Sequence, residues 1–182
     1  MPDSHITKRA LAEAMKELMA ESPMSKITIG DIVDRCAMNR KSFYYHFKDK
    51  YDLVNWIYYT EFVEDLIKNP TETSWELLLR ICDFFYENKS FYINALQVTG
   101  QNSFSEYFNE VMQEIILIRI GNMIAEGENK EFYANFFADA ICVSITKWLL
   151  SGAETAPKKF VNLMKSAMTE IAIEITQGKD IL

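Results

Sequence analysis

The chain has 182 residues, 49% of them apolar and 25% charged, which excludes a disordered segment and suits one compact unit or a small domain joined to a larger one. No apolar run approaches the roughly 18 to 20 residues that cross a bilayer, and Met1-Pro2-Asp3-Ser4 lacks the basic-then-apolar order of a secretory leader. A membrane protein and a secreted one are therefore not expected, and the cytoplasm is the expected location. The net charge of −7 opposes a nucleic-acid partner until its distribution is read. Residues 1–50 hold nine Lys/Arg against seven Asp/Glu, whereas residues 51–182 hold ten against nineteen. From Arg35 to Lys50 five basic residues face a single acid, so this end is the polyanion-facing surface and the acidic remainder repels DNA.

Helical periodicity begins at once. Ile6, Ala10, Leu11, Ala14, Met15, Leu18 and Met19 recur on one face, with Lys8, Arg9, Glu13, Lys16 and Glu17 opposite. Glu21-Ser22-Pro23 ends this first helix, because proline disfavours helical geometry in the residue before it. Thr28 and Asp31 have the spacing of a capping box for a second, short helix that turns Ile29, Ile32 and Val33 inward. After the turn Cys36-Ala37-Met38, Asn39 caps a third helix running to about Phe47. Asp49 and Asp52 open a fourth that reaches about Lys68, before the break Asn69-Pro70-Thr71. Further helices are expected at about 73–87, 89–98, 104–126, 130–151 and 157–177. Runs of strand type, internal repeats and low-complexity segments are missing from the pattern.

Three short helices with a tight turn between the second and third suit DNA, because a helix fills the major groove. On the third helix, Phe43 and Phe47 share a face and anchor it to the core. Arg40, Lys41, Tyr44 and Tyr45 are left for bases or phosphates. Lys48 and Lys50 lie where the free backbone N–H groups of helix four would favour an anion.

The segments Thr28-Ile-Gly-Asp-Ile-Val33 and Asn39-Arg-Lys-Ser-Phe-Tyr-Tyr-His-Phe-Lys-Asp-Lys-Tyr-Asp-Leu-Val54 resemble the N-terminal signature of the TetR family of regulators, over about a quarter of the chain. The resemblance implies phosphate contacts from Thr28, Tyr44, His46 and Lys50. It implies positions at or near the bases for Asn39, Arg40, Lys41 and Tyr45, with Ser42 and Lys48 completing the DNA-facing set. Lys41 departs from the pattern, standing where many members carry glycine, so an operator inferred from glycine-bearing relatives does not transfer.

The resemblance also implies an all-α fold of about nine helices. Residues 1–50 would form the helix-turn-helix domain, helix four (50–68) would connect, and residues 69–182 would bind an effector and dimerise. Trp75, Cys82, Phe85, Asn94, Phe104, Tyr107, Phe108 and Met112 are the candidate effector contacts, with Gln97, Thr99, Gln101 and Asn102 as further polar candidates. Apolar groups with a few placed polar ones are what pockets require. Phe136, Phe137, Ile141 and Trp148, with Met164, Met168 and Ile171, form stripes expected to pair two subunits as a four-helix bundle.

Thr99-Gly-Gln-Asn-Ser-Phe104 and Trp148-Leu-Leu-Ser-Gly152 resemble the C-terminal subtype found in regulators of dihydroxyacetone-kinase operons, where control passes through a partner protein. The expected function is a sequence-specific regulator, a repressor by the family's usual behaviour. It would bind a palindromic double-stranded operator as a homodimer and answer to a small-molecule effector or a partner protein. The alternatives are an activator of a dihydroxyacetone-kinase-like operon and a helical adaptor that no longer binds DNA. An enzyme is not expected, for want of a phosphate-cradling glycine loop or a nucleophile elbow. Two histidines without Cys or acidic neighbours at ligand spacing suggest no metal and no cofactor. Cys36, Cys82 and Cys142, odd in number and without a CxxC pair, read as reduced thiols.

Overall fold

The computed structural model describes residues 2–68, 73–100, 102–120 and 129–177, and no strand occurs among them. Helix α1 (Pro2–Glu21) leads through a 3₁₀ turn (Met24–Lys26) to α2 (Ile29–Arg35) and α3 (Arg40–His46). Then α4 (Lys50–Tyr58) runs through a π-helical turn (Tyr59–Val63) into α5 (Glu64–Lys68). The remainder comprises α6 (Ser74–Glu87), α7 (Lys89–Leu96), α8 (Phe104–Ile120), α9 (Lys130–Leu150) and α10 (Pro157–Thr176). The expected break at Asn69-Pro70-Thr71, the candidate Gln101, and the end of the eighth helix beyond residue 120 lie outside the described residues.

The capping chemistry sets the short helices. Thr28 Oγ1 accepts from Asp31 N at 3.2 Å and Asp31 Oδ2 accepts from Thr28 N at 2.8 Å, a reciprocal cap on α2. Between α2 and α3, Ala37 takes φ 53° while Met38 N bonds back to Val33 O at 2.8 Å. This is the closing bond of a Schellman turn, with alanine where glycine is usual. Asn39 Oδ1 accepts from Ser42 N at 2.9 Å to start α3. Leu11, Met15, Ile32, Phe43, Phe47 and Leu53 are buried together, and this shared core fixes the three short helices against α4. Arg35 ties α2 to α1 through Glu21 at 2.8 Å and Glu17 at 3.2 Å.

The π turn, which helical periodicity does not signal, has a local cause. Thr60 Oγ1 donates to the carbonyls of Trp56 and Ile57 at 2.8 and 3.2 Å, loosening the regular ladder just there.

The larger half is built around Tyr58. Its ring stacks on Phe85 (5.7 Å, 3°) and meets Phe104 and Phe108 edge-on at 5.3 and 6.0 Å. Phe85, Phe104, Phe108 and Cys82, expected at an effector, are all buried in this core, and burial pushes the Cys82 thiol up to about 12. Cys142 is buried likewise, and all three cysteines are free thiols. Trp148 is also corrected. It is buried within the chain, stacked on Phe160 at 4.8 Å, and donates from Nε1 to Thr155 O at 2.8 Å. That leaves it closing the α9–α10 turn instead of facing a second subunit. Among the described residues no helix is long and apolar enough to cross a membrane.

Candidate nucleic-acid interface

Helix α3 divides its side chains cleanly. Phe43 and Phe47 point into the core, whereas Tyr44 and Tyr45 are 58% and 81% exposed, and Arg40, Lys41 and Lys48 are exposed beside them. Large aromatic side chains left in water on a capped helix need a reason, since burying them would remove apolar surface from water. The Arg40 guanidinium lies over Gly30 at the start of α2. A Cβ at Gly30 would come within 3.0 Å of Arg40 Nη2 and 3.3 Å of Thr28 Oγ1, so glycine is what lets the second and third helices present this cation together. Arg40 adds to the effect of the Thr28 hydroxyl and N–H, which hold the Asp31 carboxyl below its ordinary value.

Several expected contacts are already engaged. The Thr28 hydroxyl donates to Asp31 Oδ2 at 2.7 Å and accepts from its N–H, so it serves the cap. Asn39 spends its oxygen on Ser42 N, leaving its Nδ2 donors. Lys50 is a plain correction. Its Nζ turns inward and donates to Met24 O and Ile27 O, both at 2.7 Å, and burial lowers its pKa. The ammonium clamps the 3₁₀ turn through these two carbonyls.

The start of α4 is likewise no anion site. Asp49 accepts from the N–H groups of Tyr51 and Asp52, and the Asp52 carboxylate takes Lys48 N–H at 2.9 Å. Of the five basic residues between Arg35 and Lys50, Arg35 is paired and Lys50 is folded in. Arg40, Lys41 and Lys48 remain outward. His46 is half-buried, with its ring edge-on to Tyr45 at 4.8 Å, and burial and the nearby Lys8 charge lower its pKa.

In the larger half, a cavity of about 190 Å³ opens between α6, α8, α9 and α10. Trp75, Leu78, Met112, Ile116, Phe137 and Met168 are among its walls, with Ser74 and Arg119 as the polar members. Of the expected effector contacts it gathers Trp75 and Met112 only. Phe137, Ile141 and Met168, expected in the pairing stripe, are half-buried and line this cavity. Phe136 and Ile171 of that stripe are exposed, and Met164 is half-buried. Tyr107 is half-buried in a separate groove beside Tyr59 and Val63. Asn94, expected as an effector contact, is engaged by the main chain at the end of α1 and the following turn. It accepts from Met24 N at 2.7 Å and donates to Met19 O and Ser22 O at 3.0 and 2.9 Å. Among the described residues no group of three His, Cys, Asp or Glu could hold a metal ion.

Residues 7–57 match the family described as "Bacterial regulatory proteins, tetR family", and residues 72–170, more than half the chain, match its "Transcriptional regulator C-terminal region". The chain belongs to the TetR family. It is a DNA-binding transcriptional regulator. Among TetR-family relatives it is 27% identical to the HTH-type dhaKLM operon transcriptional activator DhaS of Lactococcus lactis subsp. lactis (strain IL1403), over 95% of each chain. The solved structure of a dihydroxyacetone kinase operon activator DhaS superposes with a TM-score of 0.66 at 23% identity, covering 92% of this chain and 97% of that one. A TetR regulator from Streptococcus agalactiae 2603V gives 0.68 at 20% identity, covering 89% and 93%. At those identities the two structures speak for the fold.

Two residues of this TetR-family reader escape a reading by motif. Lys8 lies over the rings of Phe47 and Trp56 at 5.5 and 5.6 Å and brings a cation beside His46 from the first helix. Gly30 has a role only because Arg40 returns across it. Lys8 could be noticed as a cation on the polar face of α1, but nothing in its spacing links it to a residue of α3.

Proposed function

We propose that this regulator reads a two-half-site operator as a homodimer, with Arg40, Lys41, Tyr44, Tyr45, His46, Lys48 and the Asn39 amide meeting DNA. The observation that carries this is the division of α3 into buried phenylalanines and exposed tyrosines flanked by outward cations. Pairing is assigned to the outer faces of α9 and α10. There Phe132, Phe136, Val143 and Leu150 recur at helical spacing beside Leu163 and Ile171, all exposed. The molecule works in the cytoplasm, where its operator is.

The effector reading rests on the 190 Å³ cavity. A cavity of about 150 Å³ lined by apolar side chains takes a molecule the size of benzene, so the occupant is a compact, largely apolar molecule of about one ring. The relative named as an activator of the dhaKLM operon favours a second reading, in which the direction of control is activation.

Titration on a duplex from the gene's own upstream region and on a scrambled duplex tests the reader. Arg40→Ala is expected to weaken the first selectively, and equal losses on both would sink the assignment. Sedimentation at micromolar concentration tests pairing, with Phe136→Glu expected to shift a dimer to monomer; a wild-type monomer would refute it. Transcripts of the adjacent genes in a deletion strain rise for a repressor and fall for an activator.

A further inference from the structure

We propose that Asn94 is the positioning residue through which α7, in the sensing half, sets the placement of the DNA reader. The inference rests on α2–α3 being that reader. Its basis is the break at Pro23. The Met19 carbonyl would be capped in a continuing helix by the N–H four residues on, but that residue is Pro23 and has none. The Ser22 carbonyl and the Met24 N–H also fall outside the helical ladder. Asn94 satisfies all three groups with one amide, at 3.0, 2.9 and 2.7 Å. Main-chain groups withdrawn even partly from water, as these are, are costly to leave unpaired.

Met24 is thereby held from two directions. Asn94 of α7 takes its N–H, and Lys50 of α4 takes its C=O. Its side chain is buried, and Lys50 also takes Ile27 O, one residue before the cap of α2. The other links from the reader to the body run between side chains. The Lys16–Glu61 ion pair joins two of them at a partly exposed site, and α4 reaches the body through the Tyr58 ring, packed on Phe85, Phe104 and Phe108. Asn94 by contrast grips main-chain atoms, so a displacement of α7 moves the reader's backbone directly.

What moves α7 is also on hand. A single residue, Asn88, joins it to α6, with Asn88 Nδ2 donating to Phe84 O at 2.9 Å. The first turns of α6 carry Trp75, Leu78 and Ile81 of the cavity wall, and α7 packs on α8 and α9. Anything that spreads α6 from α8 shifts α7 and, through Asn94, the α1–α2 turn.

Hydrogen exchange on the full-length protein, with and without a duplex from its own upstream region, tests this. In the wild type, DNA is expected to slow exchange in α2–α3 and also in α7. In Asn94→Ala the slowing in α2–α3 remains and that in α7 is lost, while residues 22–27 of the free protein exchange about tenfold faster. Asn94→Asp keeps the acceptor for Met24 N–H but repels both carbonyls, and is expected to lose the α7 response as well. If the alanine variant fails to fold, Asn94→Ser is read in the same way. Slowing of α7 by DNA in the variants equal to wild type overturns the proposal, as does a wild-type α7 that ignores DNA while α2–α3 responds. No slowing in α2–α3 of the wild type would overturn the reader assignment, and the proposal with it.

Discussion

Lys50→Met separates two physical roles for one cation. The substitution keeps the length of the side chain and removes the charge and its donors. Two hydrogen bonds at 2.7 Å, to Met24 O and Ile27 O, are lost, although Met24 O keeps the Ile27 N–H at 3.2 Å. Hydrogen bonds from a charged donor contribute about 1.5–3 kcal/mol each. Against this stands the cost of drying the ammonium, which its lowered pKa registers, and the screening that water provides at a half-buried site. The net expectation is a loss of about 2 kcal/mol, or roughly 4–8 °C in Tm for a chain of this length. The second measurement is the salt dependence of DNA binding. A lysine on a phosphate contributes about 0.9 to the slope of log K against log salt. Lys50→Met should leave that slope unchanged, whereas Lys48→Ala should reduce it by about that amount. An unchanged Tm together with a flattened slope for Lys50→Met would refute the clamp and restore the phosphate contact implied by resemblance alone.

Gly30→Ala should leave the unfolding free energy within about 1 kcal/mol of wild type, since alanine favours helix. It must displace the Arg40 guanidinium, only 3.0 Å from the new methyl position, so discrimination between operator and scrambled duplex should fall; unchanged discrimination would show that Arg40 does not need that place. Tyr58→Phe removes a buried hydroxyl without a hydrogen-bond partner and should raise stability by about 1 kcal/mol in urea unfolding; a loss would mean the hydroxyl is paired in solution. His46 titrates below the ordinary histidine value in the free protein. A neighbouring phosphate favours the protonated ring, so its pKa is higher when DNA is bound. Affinity should therefore rise as pH falls through the bound-state value and level off below the free-state one. Fluorescence titrations at a series of pH values would show this, and His46→Gln should flatten the profile.

Much of the reader was legible in the sequence. Thr28 with Asp31, Asn39, and Asp49 with Asp52 mark where α2, α3 and α4 begin, because a cap acts on groups two to four residues away. Phe43 and Phe47 against Tyr44 and Tyr45 follow from the helical period, which assigns faces without needing a partner. The order and approximate extent of the later helices came from the same two signals.

Tertiary structure decided what polar groups and large aromatics do once the helices meet. Lys50 finds Met24 O across 26 residues of chain, and Asn94 finds Met24 N across 70. Nothing local distinguishes either from a surface side chain. Trp148, Phe85 and Phe108 belong to apolar stripes that could have faced a cavity, a second subunit or the core. Periodicity supplies the stripe, but only the packing of α6 against α8, α9 and α10 says which side of it is closed. The sequence by itself determined a capped, basic, aromatic reader on an all-helical chain. The fold decided which cations reach outward and which one holds the turn, because a charge's role depends on the nearest carbonyl, and that carbonyl is brought by another helix.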